Sequence, residues 1–468
     1  MKTSAALSEK LPPGAWKIIA VVILGPFITQ MDSTIVNVSL SSIRRDLHST
    51  ISSAHWIISG YLLALALMLP LNAWLVARLG AKKLYLICFS SFTLASALCG
   101  MAATMPELIG ARIIQGIAGG LLAPLTQFMM ARVVGRQMAR VIGFATVPIL
   151  VAPLAGPVLA GIILKYAGWP WLFYVNVPVG ILAVILAAYI IPPDDAEMLQ
   201  RPFDLPGFLI ISPALPGLLY GLDRVSHRQD GWSLILSLVL IGGFIWHAIR
   251  KKADALIDLE LFKIRTFSAA AITMFLANGI MYGGQFLIPL FLTSGCHLTA
   301  TQAGWILSAM GIGMLCSYPS MGYLTEKFGC RAVASSGVFL NFLGTVPFLC
   351  MAVTGFSMKL ALIGLFVRGA GQGATGIPAI SAAYAAVPKE TLNIAAMSVN
   401  IVQRLGGPVI TTAIAIATSL SADVPMASSH AFVAPFAALL TVQLFGLASA
   451  SRLPLRIEPV GSVEALKG

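Results

Sequence analysis

Long apolar runs, separated by short polar or glycine-containing links, dominate the chain from end to end. A helix needs about 20 consecutive apolar residues to cross the hydrocarbon core of a bilayer. Runs of that kind predict spans at 17–40, 53–75, 84–103, 107–131, 138–163, 171–191, 205–222, 232–249, 267–292, 303–323, 332–353, 359–387, 391–419 and 430–450. The expectation is an all-α polytopic membrane protein with fourteen transmembrane helices. The run at 205–222 is the least regular, because Pro206, Pro213 and Pro216 interrupt it. The first run contains Asp32, between Ile18 and Leu40. An ionisable side chain at that depth costs about 2.5–3.5 kcal/mol and marks an ion or substrate pathway. Ser33, Thr34 and Asn37 beside it offer hydroxyl and amide partners.

Composition narrows the class. The chain is 58% hydrophobic and 10% charged, where soluble domains carry about 25% charged residues. The net charge of +12 does not argue for a nucleic-acid partner, because cytoplasmic loops of membrane proteins concentrate Lys and Arg. Cys88, Cys99, Cys296, Cys316, Cys330 and Cys350 show no CxxC or metal-ligand spacing and read as small apolar residues, not a disulfide framework. The polar stretch from Met1 to Pro13 lacks a cleavage-site pattern, so the first span is expected to be retained. No GxxxxGK[ST] phosphate loop is present, which argues against ATP-driven transport. His48, His55, His227, His247, His297 and His430 are scattered, and nothing in the sequence suggests a metal site, a cofactor or a membrane enzyme.

The links set an orientation. Arg78, Lys82 and Lys83 follow the second span, and Arg132, Arg136 and Arg140 follow the fourth. Arg250, Lys251, Lys252, Lys263 and Arg265 follow the eighth, against Asp254, Asp258 and Glu260. Lys327 and Arg331 follow the tenth, and the alternate links are poorer in basic residues. The expectation is a cell (inner) membrane protein with both termini cytoplasmic. Two links break the pattern: Arg44 and Arg45 follow the first span, and the link after the sixth is acidic, with Asp194, Asp195 and Glu197.

Two pairs of segments repeat eight spans apart. Ala73-Trp-Leu-Val-Ala77-Arg78-Leu-Gly80-Ala-Lys82 matches Gly322-Tyr-Leu-Thr-Glu326-Lys327-Phe-Gly329-Cys-Arg331. Arg112-Ile-Ile-Gln115-Gly116 matches Arg368-Gly-Ala-Gly-Gln372-Gly373. Two six-helix bundles with two inserted helices account for the offset: residues 1–191, an inserted pair with its loops at 192–266, and residues 267–468. Transporters are commonly built from such repeats, with the substrate site between them.

These residues carry a family resemblance. The chain resembles the fourteen-helix drug:proton antiporters (EmrB/QacA type) of the major facilitator superfamily. Asp32-Ser-Thr-Ile-Val-Asn37-Val is similar to that family's first-helix motif, and Arg112-Ile-Ile-Gln115-Gly116-Ile-Ala-Gly119-Gly120 to its fourth. Gly156-Pro157-Val-Leu-Ala160-Gly161 is similar to its fifth-helix antiporter motif. Trp171-Leu-Phe173-Tyr174-Val-Asn176-Val-Pro178-Val-Gly180 is similar to the start of its sixth helix. There are departures. The loop motif usually carries an acid where this chain has Ala77, and the second copy keeps one, Glu326. Ala160 stands where Gly is commonest.

Asp32 and Arg112 are the candidate proton-coupling pair, in contact directly or through Gln115 and water. A nearby guanidinium favours the charged carboxylate, and burial favours the neutral one. The alternative for Arg112 is snorkelling to the cytoplasmic interface. Pro153, Gly156, Pro157, Ala160 and Gly161 would form a kinked, small-faced gate, or else a passive packing notch. Gln30, Asn37, Gln115, Asn278, Tyr282, Gln285, Asn400 and Arg404 are candidates for the substrate pathway, with interhelical hydrogen bonding as the competing role. Arg78, Gly80, Lys82, Gly322, Glu326, Gly329 and Arg331 form the cytoplasmic loop motif.

The resemblance implies a proton-coupled exporter of lipophilic cationic or neutral drugs or toxic metabolites, working by alternating access. A proton symporter for a small organic nutrient is the alternative, and the fifth-span motif argues against it. The implied partners are a small lipophilic substrate, protons and the lipid bilayer, with no nucleic acid. Some family members also require a periplasmic adaptor protein.

Overall fold

The computed structural model describes residues 14–134, 138–194, 203–226, 231–251, 255, 258–388, 391–420 and 429–455. Helices fall on every predicted apolar run. In lipid, each backbone N–H and C=O has to be satisfied within its own segment, and the α-helix does this. Among the described residues, eleven helical stretches are long and apolar enough to cross a membrane.

In chain order the helices are α1 (Ala15–Asp46), α2 (Ile51–Met68), α3 (Asn72–Leu79), α4 (Ala81–Met101), α5 (Met105–Val134) and α6 (Met138–Tyr166). Then come α7 (Trp171–Tyr174), α8 (Asn176–Ile190), α9 (Leu205–Ser226) and α10 (Trp232–Lys251). The rest are α11 (Arg265–Leu290), α12 (Ala300–Phe328), α13 (Cys330–Thr354), α14 (Met358–Ala385), α15 (Leu392–Leu420) and α16 (Val433–Ala450).

Proline explains where a run changes geometry. The second run passes from α2 to α3 through a 3₁₀ turn, Leu69–Leu71, that contains Pro70. Pro289 lies just before the end of α11, which closes in a π-turn, Phe291–Gly295. The proline-rich run at 205–222 is helical throughout as α9. Pro206 sits in its first turn, where a missing N–H costs nothing, and the preceding Asp204 accepts from Gly207 N at 3.1 Å as a cap.

The chain divides into two compact units. The first comprises Met1–Val141 with Pro148–Phe203, and the second Ile142–Val147 with Asp204–Gly468. In the first, α5 packs against α1, α2 and α4, and α8 against α1 and α4. In the second, α14 packs against α11, α12 and α13, while α9 lies between α10 and α15. The first unit's core includes Met31, Ile35, Ile57, Leu108, Leu172 and Phe173. In the second unit Phe291 meets Phe348, Phe432 and Phe436 edge-on, with ring centroids 6.4, 5.4 and 5.2 Å away.

Candidate functional site

The first unit encloses a polar cluster built by four helices. Helix α1 contributes Asp32, α4 contributes Ser96 and Cys99, and α8 begins with Asn176. Helix α5 supplies Arg112 and Gln115, three residues apart and so on one face. Asp32, Ser96, Gln115 and Asn176 are 0% exposed and Arg112 1%.

Arg112 Nη1 donates to Asp32 Oδ2 at 2.5 Å and to Gln115 Oε1 at 2.6 Å. Its Nε donates to the Ile57 carbonyl at 3.4 Å. The other carboxylate oxygen, Asp32 Oδ1, accepts from Asn176 Nδ2 at 2.8 Å and from Gln115 Nε2 at 3.3 Å. Asn176 Nδ2 also reaches Ser96 Oγ at 3.1 Å, and that hydroxyl donates to the Phe173 carbonyl at 3.0 Å. Cys99 Sγ lies 3.7 Å from Gln115 Oε1. The guanidinium sits over the Tyr61 ring at 4.2 Å and within 5.8 Å of the Phe173 ring, a placement that favours a desolvated cation.

Glycines set the approach of the helices. A Cβ at Gly116 would lie 2.5 Å from the Tyr61 carbonyl, and one at Gly120 2.5 Å from the Leu65 carbonyl. Helix α5 therefore rides on the backbone of α2, and this brings Tyr61 under Arg112. A Cβ at Gly156 would run into the Thr34 side chain, so the fifth-span motif packs on α1 two residues from Asp32.

The chemistry follows from burial. A charged carboxylate here is matched by a guanidinium and two amide donors, which is what makes a buried ion pair tolerable. Protonating Asp32 removes half of the pair and with it the Coulombic tie between α1 and α5.

The other predicted residues are distributed as follows. In the first unit Gln30 is exposed, Ala160 buried, and Gly161 exposed with open space beside it. Asn37, Pro153 and Pro157 lie outside the residues whose side chains are described. In the second unit, half-buried Asn278 and exposed Tyr282 both face Gly407 of α15, and Gln285 is exposed. Asn400 is buried, with its amide donating to Ala396 O of its own helix at 2.8 Å, and Arg404 is half-buried. In the loop motif Arg78 is exposed, 5.7 Å from the Trp74 ring, Gly322 is buried and Glu326 exposed. Lys82 Nζ donates to the Ala188 carbonyl at 2.8 Å, and Arg331 Nε to the Leu453 carbonyl at 2.7 Å. Asn176, Ser96 and Cys99 were not singled out as site residues. The one signal was Asn176, a polar residue inside the sixth-span motif.

The second unit holds a comparable cluster without the acid. Arg368 on α14 is 0% exposed. Its Nη1 donates to Thr345 Oγ1 on α13 and its Nη2 to the Ile280 carbonyl on α11 at 3.1 Å. Gln443 on α16 donates to the same Thr345 hydroxyl at 2.9 Å. Among the described residues no carboxylate pairs with Arg368. Gly284 of α11 occupies the position facing it, and a Cβ there would run into the guanidinium. Thr345 thus stands as Ser96 does, Gln443 as Asn176 does, and Gly284 where the first unit has Asp32.

A sequence profile described as the Major Facilitator Superfamily matches residues 22–411. The chain belongs to that superfamily. Its similarity extends to the multidrug-resistance-related members. A multidrug resistance protein B homolog of Mycobacterium tuberculosis is 29% identical over 410 residues, covering 86% of this chain and 76% of that protein. MdtD of Klebsiella pneumoniae, a protein assigned to multidrug resistance, is 32% identical over 358 residues, covering 75% and 74%. The human organic anion transporter MFSD10 has a similar fold, with a TM-score of 0.64 at 14% identity over 94% of this chain and 100% of that one. The proton:xylose symporter XylE gives a TM-score of 0.65 at 14% identity over 97% and 98%. This major facilitator protein is thus a multi-pass membrane transporter and not an enzyme.

Proposed function

We propose that this protein is a proton-coupled antiporter of the fourteen-helix drug-export type, which expels lipophilic cationic or neutral compounds by alternating access. The observation that carries the reading is the buried Asp32–Arg112 pair, with a second layer of amide donors from Gln115 and Asn176. When Asp32 is charged, α1 and α5 are joined; when it is protonated, they are released. Coupling requires each state to favour a different opening, so that a proton enters from one side as substrate leaves from the other. Gly156 carries the antiporter motif onto the same helix, beside Thr34. The multidrug-resistance names of the relatives support drug-like cargo. The same reading includes two six-helix bundles flanking an inserted pair, an inner-membrane location with both termini cytoplasmic, and a periplasmic adaptor as a further partner.

The test uses purified protein in proteoliposomes with an imposed proton gradient and ethidium as probe. Wild type should extrude the dye, and Asp32→Asn should bind dye normally but lose gradient-driven movement. Equal transport by the two would remove Asp32 from coupling, and a wild type that moves no dye under a gradient would sink the drug-antiport reading.

A further inference from the structure

The acidic link after α8, an exception to the positive loops around it, acquires a role from its position. Helix α4 starts after Gly80, which has φ +85° and no side chain to cap the free amides of the first turn. A carboxylate from elsewhere does so. Asp194 Oδ1 accepts from Lys82 N at 3.0 Å, and its Oδ2 from Lys82 N at 3.1 Å and Lys83 N at 3.4 Å. A Cβ at Gly80 would fall on this carboxylate, so the motif glycine provides both the left-handed turn and the space. Arg132 Nη1, near the end of α5, lies 4.0 Å from Asp194 Oδ1. Lys82 Nζ reaches across to the last turn of α8 at Ala188. One acid therefore ties the start of α4, the end of α5 and the chain leaving α8.

The second unit has the same arrangement without charge. After Gly329, with φ +84°, the Arg331 amide donates to the Pro454 carbonyl at 3.2 Å and its Nε to the Leu453 carbonyl. In both units the segment following the last helix docks on the glycine turn. Among the described residues, the docking group is a carboxylate in the first unit and a pair of peptide carbonyls in the second.

We propose that Asp194 acts as a positioning residue in transport, making the neighbouring ends of α4, α5 and α8 move as one body. The inference rests on the antiport reading for its effect on turnover but not for the clamp itself. The experiment has two readouts on wild type, Asp194→Asn and Asp194→Glu. Hydrogen exchange at the first turn of α4 should quicken about tenfold in Asp194→Asn and stay nearer wild type in Asp194→Glu, which keeps the carboxylate. Gradient-driven ethidium transport should fall about tenfold in Asp194→Asn with dye affinity unchanged, and stay within about threefold of wild type in Asp194→Glu. Unaltered exchange in Asp194→Asn overturns the clamp whether or not the protein moves dye. Faster exchange with wild-type turnover overturns the role in transport. Equal losses in Asp194→Glu and Asp194→Asn overturn the role of the carboxylate. A wild type that moves no dye overturns the antiport reading and, with it, the proposed role in turnover, while exchange still decides the clamp.

Discussion

Two buried arginines, Arg112 and Arg368, are held in similar ways but with opposite charge balance. In the first unit the guanidinium meets a carboxylate, a glutamine and an asparagine-supported network. In the second it meets a threonine hydroxyl and a peptide carbonyl, with glycine in the place of the acid. Among the described residues, the second unit holds its buried guanidinium on neutral acceptors. A carboxylate is therefore not needed to keep such an arginine in place, and the presence of Asp32 calls for a chemical explanation. Reversible charge is the property that distinguishes it from every other acceptor in either cluster.

The largest expected contrast comes from removing each arginine. Arg112→Met should reduce gradient-driven transport by about 100-fold, equivalent to about 2.7 kcal/mol, while Arg368→Met should stay within about threefold in the same proteoliposome assay. Their stabilities should also move in opposite directions. Arg368→Met removes a buried charge that pairs with no carboxylate among the described residues, and should raise the thermal midpoint by relieving its desolvation cost. Arg112→Met leaves Asp32 without its cation and should lower it. Coupled loss at both sites, or shifts of the same sign, would break the distinction.

An intermediate effect is expected from the amides. Asn176→Leu deprives Asp32 Oδ1 of its 2.8 Å donor and should lower gradient-driven transport about tenfold, equivalent to one lost buried hydrogen bond of about 1.4 kcal/mol. Gln443→Leu, which loses its bonds to Thr345 and Asn341, should leave transport within about twofold of wild type in the same assay. Equal losses would mean that both clusters serve transport.

The smallest expected effect comes from restoring the absent acid. At Gly284 the three atoms nearest to an added Cβ all belong to the flexible guanidinium end of Arg368. Gly284→Asp should fold and transport within about fivefold of wild type, and show one additional titrating carboxyl by infrared spectroscopy. Failure to fold would mean that the two clusters are less alike than their partners suggest.

The helices were legible in the sequence because the bilayer imposes a length and an apolar composition that few other environments demand. Asp32 and Arg112 were legible for the complementary reason, as charges within such runs. Their partners were harder. Asn176 opens α8 next to a proline and aromatic residues, where an amide reads as an interface residue until the fold places it beside Asp32. Ser96 looks like any small packing residue of α4. Asp194 stood out only as an acid in a link expected to be basic, and its target, an uncapped helix start 112 positions earlier in sequence, exists only in three dimensions. Gly284 gave no signal, since it sits among Gly279 and Gly283 and means something only when seen across from Arg368.

The docking of Leu453 and Pro454 on Arg331 also bears on how the protein can be handled. Any label, affinity handle or reporter joined to the C-terminal side has to leave the chain beyond Leu455, whose carbonyl sits where a side chain at Gly329 would go. A junction placed at Ser451 would strip the glycine turn of its neutral seal and alter the molecule that the reporter was meant to observe.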